Sequence, residues 1–169
     1  RGASSPDELF AQAEACGLDA LAITDRNTLA GIVRAHEAAK LARVRLIVGC
    51  RLDLSEGQSL LVYPMNRAGY ARLCRLLSRG KTRGGKGKCV IGWADVEAFA
   101  EDLLAIFLPD EMADTEAVLG RFARIFEGRG YLALTLRRRP GDQLRLHDLA
   151  NLAARHRVPT VVTGDVLYH

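Results

Sequence analysis

Two carboxylates stand where an α/β protein places its chemistry. Asp25 follows the apolar run at residues 20–24, and Asp165 follows residues 160–163 through Gly164. Carboxyl ends of parallel strands are where such folds gather metal-binding and phosphate-binding groups. Strands of one parallel sheet would bring both carboxylates to the same rim. The bland alternative is that they cap loops or pair with arginines, and Arg26 directly follows Asp25. Histidine gives metal little support. His36 falls on the apolar stripe of a helix and reads as a hydrogen-bonded core side chain. His147 and His156 lack ligand spacing, and His169 ends the chain. Cys16, Cys50, Cys74 and Cys89 show no CxxC pair and read as free thiols of a cytosolic protein. No P-loop, GxGxxG or nucleophile elbow is present.

A second kind of chemistry is suggested by charge. The 169 residues carry a net +4, unevenly spread. Residues 1–56 sum to −1, residues 57–94 to +8 with no acidic side chain, and residues 95–169 to −3. Arg72, Arg75 and Arg79 are spaced along a helix opposite its apolar stripe. Lys81, Arg83, Lys86 and Lys88 continue the charge through a glycine-rich loop. Such a patch suits nucleic-acid phosphates, although the loop has no aromatic to stack a base. Its bland counterpart is a solvated helix face. Arg137-Arg138-Arg139-Pro140 reads as a solvated turn.

The elements that would position these groups alternate. Ser5-Pro6-Asp7-Glu8 opens a helix with a capping box, and Gly17 stops it. A strand at 20–24 precedes a helix at 28–43 with Leu29, Ile32, Val33 and His36 on one stripe. A strand at 46–49, extended by 51–54, leads through the Ser55-Glu56-Gly57 turn to a strand at 60–63. A helix at 67–79 has Tyr70, Leu73, Cys74 and Leu77 on its core face, and a loop follows at 80–92. Helices at 93–101, 115–126 and 142–155 then alternate with strands at 104–108, 131–136 and 160–163. This order predicts a mainly parallel sheet with both faces covered. The length suits one domain with a substantial core. No apolar run reaches the ~18 residues that cross a bilayer, and no signal peptide is visible. Arg1 stands where Met would begin a gene product, so a piece of something longer is expected.

Five ordered segments carry a family resemblance. They are RGASSPDEL at 1–9, LAITDRNTLAG at 21–31, LIVGCRLDL at 46–54, NRAGYARLCRLLSRGK at 66–81 and VPTVVTGDVLYH at 158–169. Together they resemble the PHP (polymerase and histidinol phosphatase) domain at the amino end of bacterial C-family DNA polymerases of the error-prone, damage-inducible branch. The resemblance implies an α/β fold, a distorted (β/α)7 barrel of PHP type, here lacking its first strand. It implies that residues 1–169 form a single PHP-like domain from the N-terminal region of a longer polymerase.

Active members of the family hold a metal cluster in the barrel mouth. Their pattern has Asp-His where this chain has Asp25-Arg26, Gly-Cys-Glu where it has Gly49-Cys50-Arg51, and Asp-Val-His where it has Asp165-Val166-Leu167. Leu108-Pro109-Asp110 replaces another ligand segment, and two further ligand positions fall near Thr135 and Arg138. Asp25 and Asp165 are thus vestigial ligands in a former metal pocket that includes Arg26, Arg51 and Leu167. An arginine ~4 Å from a dication is repelled by roughly 8 kcal/mol at an effective dielectric of ~20. The same arginines suit ion pairs with Asp25 and Asp165.

The implied function is a non-catalytic PHP domain in a translesion polymerase of the DNA-damage response. The parent would be a nucleotidyltransferase with magnesium in its palm, while this domain would need no catalytic residue, metal or cofactor of its own. Partners would be the remaining domains, DNA, a sliding clamp and translesion accessory proteins, in the cytoplasm and with no membrane. The alternatives are an active phosphoesterase or 3′–5′ exonuclease, and a nucleic-acid-binding module built on residues 67–88.

Overall fold

The computed structural model describes residues 4–109 and 115–164. The described residues divide into two compact units, one within 4–51 and one within 52–164.

The first unit begins with α1 (Pro6–Ala15), β1 (Ala20–Ile23), α2 (Ile32–Ala42) and β2 (Arg45–Val48). The Ser5 hydroxyl accepts from Glu8 N, and the Glu8 carboxylate accepts from Ser5 N, so the expected capping box forms. β1 and β2 pair in parallel from Ala20↔Arg45 to Ile23↔Val48. The expected stripe on α2 is corrected: Ala35, Ala38, Ala39 and Ala42 are buried, while Val33 is 71% exposed and His36 is exposed. Alanine gives the smallest apolar surface a helix can offer. It lets α1 and α2 approach closely around Phe10, Ala13 and Val44. α2 also starts four residues later than expected, at Ile32. Thr28 Oγ1 accepts from Ala30 N at 3.2 Å, and the Asp25 carboxylate accepts from Gly31 N at 2.9 Å. Those side-chain bonds hold a turn where a helix would otherwise begin.

The second unit continues from β3 (Cys50–Asp53), within which the boundary falls, into β4 (Ser59–Pro64), α3 (Arg67–Gly84), α4 (Trp93–Phe99), β5 (Leu103–Leu108), α5 (Thr115–Ile125), β6 (Gly130–Leu134), α6 (Asp142–Arg155) and β7 (Thr160–Val162). The strand order is β3-β4-β5-β6-β7. The β5–β6 and β6–β7 pairs are parallel as expected, but β4 and β5 are antiparallel, from Ser59↔Leu108 to Pro64↔Leu103. Two helices lie between these strands. β5 therefore starts beside the residue at which β4 ends, and a single-helix crossover does not apply. β2 and β3 are separate strands of different sheets, broken at Gly49.

α3 departs most from expectation. It runs to Gly84, five residues beyond Arg79, so Lys81 and Arg83 are helical rather than in a loop. Asn66 caps its start through Gly69 N at 2.9 Å. Gly80 does not break it, because the chain returning through Cys89–Ile91 passes against that turn. A Cβ at Gly80 would meet Ile91 Cγ1 at 2.5 Å and Cys89 Sγ at 2.7 Å, and Val90 N bonds Gly80 O at 2.9 Å. The glycine is a close-approach site inside a helix, and the turn comes at Gly85 with φ 73°. The buried face is Gly69, Leu73, Leu76, Leu77 and Gly80, while Tyr70 is 41% exposed. The arginine turn after β6 is tied down. The buried Asp142 carboxylate accepts from Arg137 N at 2.6 Å and Arg139 N at 3.2 Å.

Candidate functional site

Asp25 sits just past the end of β1, beside the start of β3. Arg51 N donates to Asp25 O at 3.0 Å, and Asn27 N donates to Arg51 O at 2.8 Å. A parallel bridge joins Arg26 to Arg51. Paired positions in neighbouring strands stand roughly 4.8 Å apart with side chains on the same face. Two residues 25 apart in sequence thus set two guanidinium-bearing positions side by side. Cys50 between them is fully buried, and its thiol donates to Asp25 O at 3.3 Å and Thr28 O at 3.5 Å. It acts as a packed hydrogen-bond donor beneath the rim.

The Asp25 carboxylate is the expected ligand. Its Oδ2 accepts from Gly31 N, and a Cβ at Gly31 would lie 2.6 Å from that oxygen. Gly31 is therefore cut to fit the carboxylate. The contact described for the Asp25 carboxylate is with the Gly31 backbone N–H. Arg26 and Arg51 each have further polar interactions of their own. Asp165, Leu167, Asp110 and His169 lie outside the described residues.

The described residues of this pocket do not by themselves make up a metal cluster. Among the described residues no three His, Cys, Asp or Glu side chains come together to hold an ion. A stable zinc site takes three or four protein ligands. Asp25 has one oxygen bonded to Gly31 N–H, and the bridge next to it in the chain pairs two arginine positions.

His147 is exposed, and His156 Nε2 lies 3.9 Å from Glu116 Oε1. All four cysteines are free thiols.

The basic segment is sorted by its ion pairs. Arg83 Nη1 and Nη2 donate to the two oxygens of Asp95 at 2.6 and 3.0 Å, and Arg79 Nε lies 3.3 Å from Asp95 Oδ1. Asp95 also accepts from Gly92 N at 3.0 Å, closing the first turn of α4. The Arg83 hydrogen bonds, then Gly92 N–H and the two positive charges, outweigh burial and hold the Asp95 carboxyl below the usual carboxylate range. Arg72 bonds Glu101 and Asp102, each at 2.5 Å. Arg75, Lys81, Lys86 and Lys88 are exposed. Sequence reading missed these acids because Asp95, Glu101 and Asp102 lie just beyond the acid-free stretch.

The PHP domain family model matches residues 1–150. The chain belongs to the PHP family. The PHP domain is 56% identical over its full length to error-prone DNA polymerase 2 of Rhizobium meliloti. It is 56% identical to error-prone DNA polymerase 1 of Agrobacterium fabrum and 44% to the error-prone DNA polymerase of Caulobacter vibrioides, again over its full length. It spans 16% of the length of each of these relatives. Two solved structures share its fold at 16% identity. An amidohydrolase from Chromobacterium violaceum, with bound sulfate and no metal, aligns with a TM-score of 0.69 over 99% of this chain and 84% of its own. A protein from Bifidobacterium adolescentis, described as a candidate metal-dependent phosphoesterase, aligns with a TM-score of 0.66 over 96% and 82%. The expected PHP-type α/β fold is borne out.

Proposed function

We propose that this PHP domain belongs to an error-prone DNA polymerase and supports that enzyme without hydrolytic chemistry of its own. The parent would copy DNA with magnesium in a palm domain elsewhere in the chain, across lesions during the DNA-damage response. The domain would pack against its neighbours in the parent. DNA, a sliding clamp and translesion accessory proteins are the parent's proposed partners, and the cytoplasm its compartment. Full-length identity to polymerases of that name supports the parent.

One observation carries the non-hydrolytic role. The Arg26–Arg51 bridge lies beside the one vestigial ligand that is described, Asp25, and that ligand's oxygen serves Gly31 N–H. Removing this carboxylate should therefore loosen a loop rather than abolish a reaction.

The test is elemental analysis of the full-length protein together with a phosphoesterase assay on single-stranded DNA under polymerase-inactive conditions. We expect less than stoichiometric zinc or manganese bound through the PHP domain, and no hydrolysis that depends on Asp25. Stoichiometric metal lost in Asp25→Ala, with hydrolysis lost alongside it, would revive the exonuclease reading.

A further inference from the structure

We infer that the C-terminal half of α3 and the glycine hairpin after it form a docking site for the phosphodiester backbone of DNA, through Arg75, Lys81, Lys86 and Lys88. This goes beyond the supporting role proposed above and does not depend on it.

The argument begins with what the ion pairs remove. Residues 67–88 hold eight basic side chains and no acid. Three of the eight serve the interior of the unit: Arg72 holds Glu101 and Asp102, while Arg79 and Arg83 hold Asp95. These pairs fasten α4 and the start of β5 to α3. A different subset, exposed like Arg79 and Arg83, enters none of these pairs. Arg75 lies midway along the helix, Lys81 is in its last turn, and Lys86 and Lys88 follow it.

The hairpin is ordered, not a loose tether. Lys88 N bonds Gly85 O at 3.2 Å and Val90 N bonds Gly80 O at 2.9 Å. Gly85 and Gly87 have φ of 73° and 75°. Only glycine adopts such angles freely, so Lys86 and Lys88 are presented on a defined turn whose alternate residues lack side chains. A backbone without side chains allows a phosphate chain to come close. Compact ammonium groups on flexible stems suit phosphate as point charges.

The chemistry favours nucleic acid over an acidic protein. The α3 hairpin offers no exposed large apolar side chain between residues 71 and 90, and a protein interface core draws on such groups. Charge without apolar anchors is the footprint of backbone binding, indifferent to base sequence.

The experiment uses the full-length protein and a 30-base-pair duplex. Lysine acetylation is read by mass spectrometry with and without DNA. Lys81, Lys86 and Lys88 should become at least threefold less reactive, while Lys40, exposed on α2, should not change. The triple variant Lys81→Gln/Lys86→Gln/Lys88→Gln should lower the slope of log K against log salt by about 2–3, at roughly 0.9 for each phosphate no longer neutralised. Arg72→Gln is the contrasting variant. It should lower stability and leave the salt slope unchanged. Unaltered lysine reactivity, equal protection of Lys40, or an unchanged slope in the triple variant would each overturn the proposal. So would protection by polyglutamate or by phosphatidylserine vesicles with none by DNA.

Discussion

Arg83 grips Asp95 with both terminal guanidinium nitrogens, one on each carboxylate oxygen, at 2.6 and 3.0 Å. The Asp95 side chain is only 7% exposed while Arg83 is 44% exposed, so a surface cation closes over a buried anion. The bidentate fork fixes the end of α3 against the start of α4.

Asp95→Asn should therefore destabilise the domain by about 2 kcal/mol, the order expected for hydrogen bonds to a charged group. Urea unfolding at neutral pH measures it. Arg83→Gln should cost less, because Arg79 still faces the carboxylate. A loss under about 0.5 kcal/mol for Asp95→Asn, the range of an ordinary surface substitution, would show the fork to be ornamental.

The same pair sets a pH dependence. The Asp95 carboxyl titrates lower when folded than when unfolded, chiefly through its bonds to Arg83. Its contribution is complete above the unfolded value of about 4 and is lost as pH falls through the folded value. Stability should fall with acid below about pH 4, and the fall should be shallower in Asp95→Asn. Parallel acid profiles for the two proteins would contradict this.

Which parts were legible in sequence follows from how local their causes are. The Ser5–Glu8 capping box and the Ser55-Glu56-Gly57 turn involve residues within a few positions of each other, and both formed. The end of α3 depends on residues 89–91 returning across Gly80, so a glycine that reads as a breaker is a contact surface. Val33 and His36 made a plausible stripe on α2, but the packing partner selected the alanines on the other side. At the candidate site, Asp25 was visible as a strand-end carboxylate. Its tie to Gly31 and the Arg26–Arg51 bridge were not, because the bridge depends on strand register.

The close approaches of α3 can be tested by filling them. A Cβ at Gly69 would collide with the backbone carbonyl oxygen of Asp102, which also accepts Met65 N at 2.9 Å. At Gly80 the obstacles are side chains, Ile91 and Cys89, which have room to shift. Overpacking costs about 1–3 kcal/mol, and backbone yields less than side chain. Gly69→Ala should lower Tm more than Gly80→Ala. The reverse order would mean the carbonyl moves freely.

Gly31 and Asp25 form a coupled pair. Gly31→Ala places a methyl group 2.6 Å from Asp25 Oδ2, so it should destabilise by about 1 kcal/mol or more. In an Asp25→Ala background the obstacle is gone, and the same substitution should cost much less. A double-mutant cycle in urea should return a coupling of about 0.5–3 kcal/mol. Strict additivity would mean that Asp25 does not shape the loop.

Arg129 supplies the last test, because one side chain serves three carbonyls. Its Nη1 donates to Ala100 O and Leu103 O, both at 2.7 Å, and its Nη2 to Ile125 O at 3.3 Å. These oxygens belong to the end of α4, the start of β5 and the end of α5, so the planar fork joins three elements at one point. Lysine carries the same charge but concentrates its donors on one nitrogen. Arg129→Met should destabilise by about 2–3 kcal/mol, since the carbonyls lose their charged donor in a partly buried setting. Arg129→Lys should recover only part of that. Full recovery by lysine would show that charge alone matters there, and the argument from fork geometry would fail.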